Sequence, residues 1–159
     1  MKKYAALMMT GIMLWSGTTF AQERPNAIHV EALGTGLMLS VHYERMLTEG
    51  FALRAGVGAF FAVVEAGTTF PLMATWLIGD GQNRLELGAG VTIVDLHSVF
   101  DEDEDDSLLG IENDVVIGAG YLGYRFTSDN GLIFRIGFTP LIGDDGLIAY
   151  GGTSIGFAF

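Results

Sequence analysis

The chain has 159 residues, half of them hydrophobic, with eight Lys or Arg against nineteen Asp or Glu and a net charge of −11. That balance excludes a basic footprint for nucleic acid, and the absence of cysteine excludes a disulfide framework. Glycine is abundant at 23 residues, and no long apolar helix accounts for the hydrophobicity.

Residues 1–21 read as a cleaved export signal. Lys2 and Lys3 supply the basic start, Tyr4 to Trp15 a mostly apolar run, and Ser16 to Ala21 an exit ending in a small residue, which places cleavage before Gln22. The run falls short of the roughly 20 residues that a spanning helix needs. Both lysines leave with the signal, so residues 22–159 keep six arginines against nineteen acids, a net −13.

Those residues predict one all-β domain of eight strands of eight to thirteen residues, near the length that crosses a bilayer when tilted. The strands are Asn26–Leu33, Leu37–Leu47, Phe51–Val63, Thr69–Ile78, Arg84–Leu96, Val115–Thr127, Leu132–Ile142 and Leu147–Phe159. Gly34-Thr35-Gly36 and Thr48-Glu49-Gly50 supply turns, and Asp80-Gly81 and Asn130-Gly131 are hairpin signals because both dipeptides tolerate positive φ. The one long connection, 98–114, carries the run Asp101 to Asp106, which cannot pack and must be solvated. An even strand number puts both termini on one side, periplasmic in bacterial barrels, so this acidic connection falls on the extracellular side. Pro71 and Pro140 are expected near the extracellular ends of their strands, because a closed barrel has no edge strand to tolerate a missing N–H.

Alternation assigns the faces. Outward are Leu37, Leu39, Val41 and Tyr43; Phe51, Leu53, Ala55, Val57, Ala59 and Phe61; Leu85, Leu87, Ala89, Val91 and Ile93; and Phe134, Ile136 and Phe138. Tyr43, Phe51, Trp76, Tyr124, Phe126, Phe134, Phe157 and Phe159 gather at the periplasmic level, with Phe61, Phe70 and Phe138 at the other, as two aromatic girdles. A soluble lipocalin-type barrel is the rival. It would enclose large aromatics on nearly every strand and leave the charges outside. An eight-stranded antiparallel up-and-down transmembrane β-barrel fits the pattern better.

The last strand, ending Thr153-Ser154-Ile155-Gly156-Phe157-Ala158-Phe159, carries a resemblance to the small eight-stranded outer-membrane β-barrel proteins of Gram-negative bacteria. In that family a terminal aromatic, with hydrophobic residues at alternate positions before it, is the signal for the barrel-assembly machinery. The resemblance assigns that role to Ile155, Phe157 and Phe159. The family often has Gly where this chain has Ser154, and this chain puts Gly at 156. The phrases from Asn83 to Gly90 and Leu122 to Phe126 are similar to small barrels of Bacteroidetes. The resemblance implies a monomer in the outer membrane, in contact with its lipid and without a cofactor.

The inward face carries His29, Glu31, His42, Glu44, Arg54, Arg84, Glu86, Arg125 and Arg135. Charges out of bulk water must pair, and an eight-stranded barrel is wide enough only for side chains to fill it. The expectation is a plugged lumen laced with ion pairs and a structural or surface-interaction role. Two alternatives stay open: a narrow small-solute channel, and a lipid A-modifying enzyme built on Ser40, His42 and Glu44 with His29 and Glu31 on the paired strand. Against the enzyme, same-face neighbours sit about 6.8 Å apart along a strand, too far for a nucleophile–base hydrogen bond. The series Asp101, Asp103, Asp105, Ser107, Leu108, Glu112 imitates a calcium loop, but Asp106 stands where that loop needs Gly. Divalent cations at the acidic loop are therefore an expectation of loose association.

Overall fold

The computed structural model describes residues 24–61, 65–98, 114–143 and 146–159. The strands are β1 (Asn26–Gly34), β2 (Leu37–Thr48), β3 (Phe51–Phe61), β4 (Glu65–Ile78), β5 (Asn83–Ser98), β6 (Asp114–Thr127), β7 (Leu132–Gly143) and β8 (Gly146–Ala158). Each pairs antiparallel with its sequence neighbour, and β8 pairs back onto β1, so the sheet is a closed up-and-down barrel. All eight predicted strands are present. The export signal over 1–21, the acidic run and the calcium-like series from Asp101 to Glu112 lie outside the described residues.

Closure leaves no unpaired edge. At the seam, Asn26 and Phe159 exchange backbone hydrogen bonds of 3.2 and 2.8 Å, and the register runs from Ala27↔Ala158 to Ala32↔Thr153. Ile155, Phe157 and Phe159 stand on the outer face of this seam, each about half exposed. The termini share one end of the barrel with hairpins β2–β3, β4–β5 and β6–β7. This is the termini end, and the opposite one is the loop end. Gly81 and Gly131 take φ of +77° and +96° in their hairpins, the conformation that their Asp-Gly and Asn-Gly pairs anticipate.

Alternation sorts the side chains as expected. Val41, Leu53, Val57, Leu85, Leu87, Val91, Ile136 and Phe138 are exposed, whereas His42, Arg54, Glu86 and Arg135 are buried. Phe51 and Trp76 pair across β3–β4 with ring centroids 5.1 Å apart. The hydroxyls of Tyr43 and Tyr124 donate to Asn26 and Asn83 at the termini end, so each ring has an apolar body and a polar tip. At the other level, Phe70 and Phe138 are exposed but sit five residues inside the loop-end limits of β4 and β7. That band is sparser than expected, and the Phe61 side chain lies outside the described set.

Two expectations need correction. Leu37 does not point outward. It takes φ of +69°, which breaks the alternation and turns it against buried Met73, Ala119, Tyr121 and Leu141. Pro71 is not near a strand end. β4 begins at Glu65 rather than Thr69, so Pro71 lies mid-strand and fully buried. The barrel accommodates it by interrupting one ladder: β3–β4 pairing passes from Ala55↔Leu72 to Gly58↔Thr69, while Pro71 stays in register with Thr92 of β5. Pro140 lies three residues from the end of β7, near the predicted place. The β6–β7 ladder likewise skips from Ala119↔Leu141 to Leu122↔Phe138.

Gly120 makes room for the second proline. A Cβ there would meet the Pro140 ring carbon at 2.8 Å. Gly120→Val is expected to destabilise the barrel by about 1–3 kcal/mol through overpacking, read from urea unfolding in lipid vesicles. A midpoint unchanged from the parent would show that the ring can move aside.

Candidate functional site

The inward charges form a belt across the lumen. Arg135 grips Glu86 with two parallel bonds, Nε to Oε2 at 2.9 Å and Nη2 to Oε1. Arg125 Nη1 meets Glu44 Oε1 at 2.6 Å. Glu31 takes the His42 Nε2 at 2.9 Å and the Thr35 hydroxyl at 2.9 Å. His29 approaches Glu44 at 3.7 Å, and Arg54 approaches Glu31 at 3.9 Å. The belt thus holds three carboxylates and three guanidinium groups. It balances with both histidines neutral, which is what burial demands of charges out of water.

Arg54 is the least satisfied member. None of its guanidinium nitrogens has a hydrogen-bond partner among the described residues. It lies over the Tyr121 ring, 5.6 Å from the centroid, and Arg135 lies over the same ring at 5.1 Å. The aromatic face stabilises the two cations by a cation–π contact.

Of the nine predicted network residues, eight are buried together. Arg84 is the exception. It lies at the termini end, where it donates to the carbonyls of Gly81 at 3.2 Å and Glu49 at 2.7 Å. There it lines a cavity of about 300 Å³ with Arg24, Asn26, Gln82 and Ser128, and Arg125 helps to line it too.

Ser40, His42 and Glu31 come closer than strand spacing implied. Ser40 Oγ lies 2.7 Å from His42 Nε2, because the imidazole is long enough to span the gap between same-face neighbours. The predicted separation is therefore corrected. The triad is still not formed, since Ser40 and Glu31 both address the same ring nitrogen. An acyl-transfer base needs its acceptor nitrogen on serine and its N–H on the acid. A nitrogen 2.9 Å from a carboxylate carries the proton, so it has no lone pair for the Ser40 hydroxyl. The predicted third member, Glu44, pairs with Arg125 instead.

The interior is not uniformly polar. Met73, Ala119, Tyr121 and Leu141, with Leu37, Ile117 and Tyr150 against them, form an apolar layer on the loop-end side of the belt. Ala27, Ile133 and Ala158, and separately Met46, Ala52 and Leu77, form smaller clusters at the termini end. Inward parity carried this signal, since Met73, Leu77, Tyr121, Ile133 and Leu141 all fall on the inner phase of their strands.

A small closed antiparallel barrel with an apolar exterior and an ion-paired lumen has the fold of the small outer-membrane barrels. No family model matches the chain, and no curated protein matches its sequence. Among solved structures it is similar to the N-terminal β-barrel domain of OprF from Pseudomonas aeruginosa, with a TM-score of 0.68 at 15% identity over 86% of this chain and 98% of that one. Ail, the attachment invasion locus protein of Yersinia pestis, solved in complex with the heparin analogue sucrose octasulfate, aligns with a TM-score of 0.46 at 14% identity over 84% of this chain and 94% of that one. At 15% identity the likeness to the OprF domain is one of fold alone.

The belt predicts a non-additive mutant cycle. Glu86→Gln leaves Arg135 buried without its bidentate partner and is expected to cost about 3–5 kcal/mol. Replacing the pair together, Glu86→Leu with Arg135→Met, is expected to recover most of that loss. Urea titration followed by gel mobility of unheated samples measures both. With the single Glu86→Leu and Arg135→Met variants measured alongside, losses that simply add would show that the pair is not coupled.

Proposed function

We propose that this chain is a monomeric integral protein of the bacterial outer membrane whose role is structural or surface-interacting, with its lumen closed to free diffusion. One observation carries the reading. The exterior presents Leu39, Val57, Leu72, Ile136, Ile155 and Phe157, each about half exposed or more, while Glu44, Glu86 and Arg135 are buried. A water-soluble barrel would invert that arrangement, and hydrocarbon is the solvent that accepts it. The barrel fold shared with the OprF domain supports the reading. So does the last strand, whose Ile155, Phe157 and Phe159 line the outer seam where assembly factors could reach them. The phrases Asn83 to Gly90 and Leu122 to Phe126 favour a barrel of the Bacteroidetes type.

A lipid A acyl-transfer activity has less support. Its nucleophile would be Ser40, which is buried in the lumen away from lipid and shares its ring nitrogen with Glu31.

Cell fractionation with gel migration before and after boiling tests the proposal. Recovery in the outer-membrane fraction, with unboiled and boiled samples migrating differently, is the expected result. A protein in the soluble fraction that migrates identically in both states would contradict it.

A further inference from the structure

The β1–β2 connection is a short turn, Thr35-Gly36, yet Thr35 is completely buried. A turn that simply joined two strands at the rim would be among the most exposed parts of the chain. This one folds back into the barrel. The Thr92 hydroxyl of β5 donates to the Thr35 carbonyl at 2.7 Å, and the Thr69 hydroxyl of β4 donates to the Gly36 carbonyl at 3.0 Å. Neither β4 nor β5 neighbours β1 or β2 in the sheet, so these bonds cross the lumen. Thr35 in turn donates to Glu31 of the ion belt.

The walls are cut to receive the turn. At Gly58 of β3 a Cβ would meet the Gly36 carbonyl at 2.7 Å, and at Gly152 of β8 it would collide with the Leu33 carbonyl and meet the Gly34 Cα at 3.2 Å. The turn therefore touches β3, β4 and β5, and the end of β1 that leads into it lies against Gly152 of β8. It is flanked by Leu33 at φ +55° and Leu37 at +69°, left-handed conformations that a non-glycine residue holds only where its surroundings over-determine it. Leu37 anchors one flank in the apolar layer of the loop-end half.

We propose that this inward-folded turn is the seal of the lumen: Thr69 and Thr92 latch it across the bore, and its release opens a path from the loop end to the ion belt. Two hydroxyl–carbonyl bonds make a weak latch, each worth roughly a few-fold to tenfold in population. The turn can therefore be displaced without unfolding the barrel. Neither the position of the turn nor its release depends on the membrane reading above.

The chain has no cysteine, so Thr35→Cys gives a unique thiol. In folded, detergent-purified protein it is expected to react with a maleimide at least about tenfold more slowly than Asn130→Cys, which is exposed. Adding Thr69→Val with Thr92→Val removes both donors and should raise the labelling rate about tenfold or more. The same pair should speed labelling of a separate Ser40→Cys variant, whose residue is buried against the turn beside the ion belt. Thr69→Ser with Thr92→Ser keeps both hydroxyls and should restore slow labelling at both sites. If the valine pair does not fold, Gly152→Ala, which pushes on Leu33 directly, is expected to give the same two changes. Parent Thr35→Cys labelling as fast as Asn130→Cys would overturn the inward turn. Fast labelling of Thr35→Cys in the released variant with Ser40→Cys still protected would overturn the seal.

Discussion

Successive side chains of a β-strand point to opposite faces, and a closed sheet has one face inside and one outside with no margin between them. Every other feature of this molecule answers to that constraint. Eight strands enclose a bore too narrow for water to serve as general solvent, so whatever points inward has to be satisfied by its neighbours. Whatever points outward has to suit the medium. Here the inward set is charged in the middle and the outward set is apolar along most of its height, which is the reverse of what bulk water selects.

The belt shows how the inward half is solved. Bidentate Arg135–Glu86 and short Arg125–Glu44 are strong charge-assisted contacts. Glu31 gathers a histidine and a threonine, and two guanidinium groups lie over the Tyr121 ring. Replacing such a belt by hydrocarbon would cost little stability in principle, whereas removing one member alone would cost much. What such a belt supplies is specificity of register. The two strongest pairs, Glu44 with Arg125 and Glu86 with Arg135, join strands far apart in sequence, so only the correct register brings the partners together. The apolar layers on either side remove water from the belt and strengthen its contacts. The turn from Thr35 to Leu37 completes one of those layers and is tied to Glu31 of the belt, which links the closure of the bore to its electrostatics.

Much of this was legible in the residues. Asp80-Gly81 and Asn130-Gly131 marked hairpins, period-2 runs marked strands, and inward parity placed eight of the nine network residues. What escaped did so for identifiable reasons. Arg84 has the inward phase, but phase says nothing about height, and at the mouth its guanidinium finds backbone carbonyls first. The Ser40–His42 contact has no signature in strand spacing, because the distance between Cα atoms is not the reach of an imidazole. β4 begins before the predicted Thr69 because Ala66-Gly67-Thr68 offers little contrast between faces. Leu37 and the inward turn were hidden most deeply. Positive φ at two leucines has no sequence signature, and the partners that hold it, Thr69, Thr92, Gly58 and Gly152, are scattered over four strands.

Trp76 offers the most direct test of the solvent that the outer face meets. It is the only tryptophan after residue 21, and it stands on the outer face about half exposed. Reconstituted into vesicles whose acyl chains carry bromine, its fluorescence is expected to fall strongly relative to unbrominated vesicles, with a blue-shifted emission. Emission at the position typical of water, with equal intensity in both vesicle types, would show that hydrocarbon does not touch this surface and would contradict the account at its base.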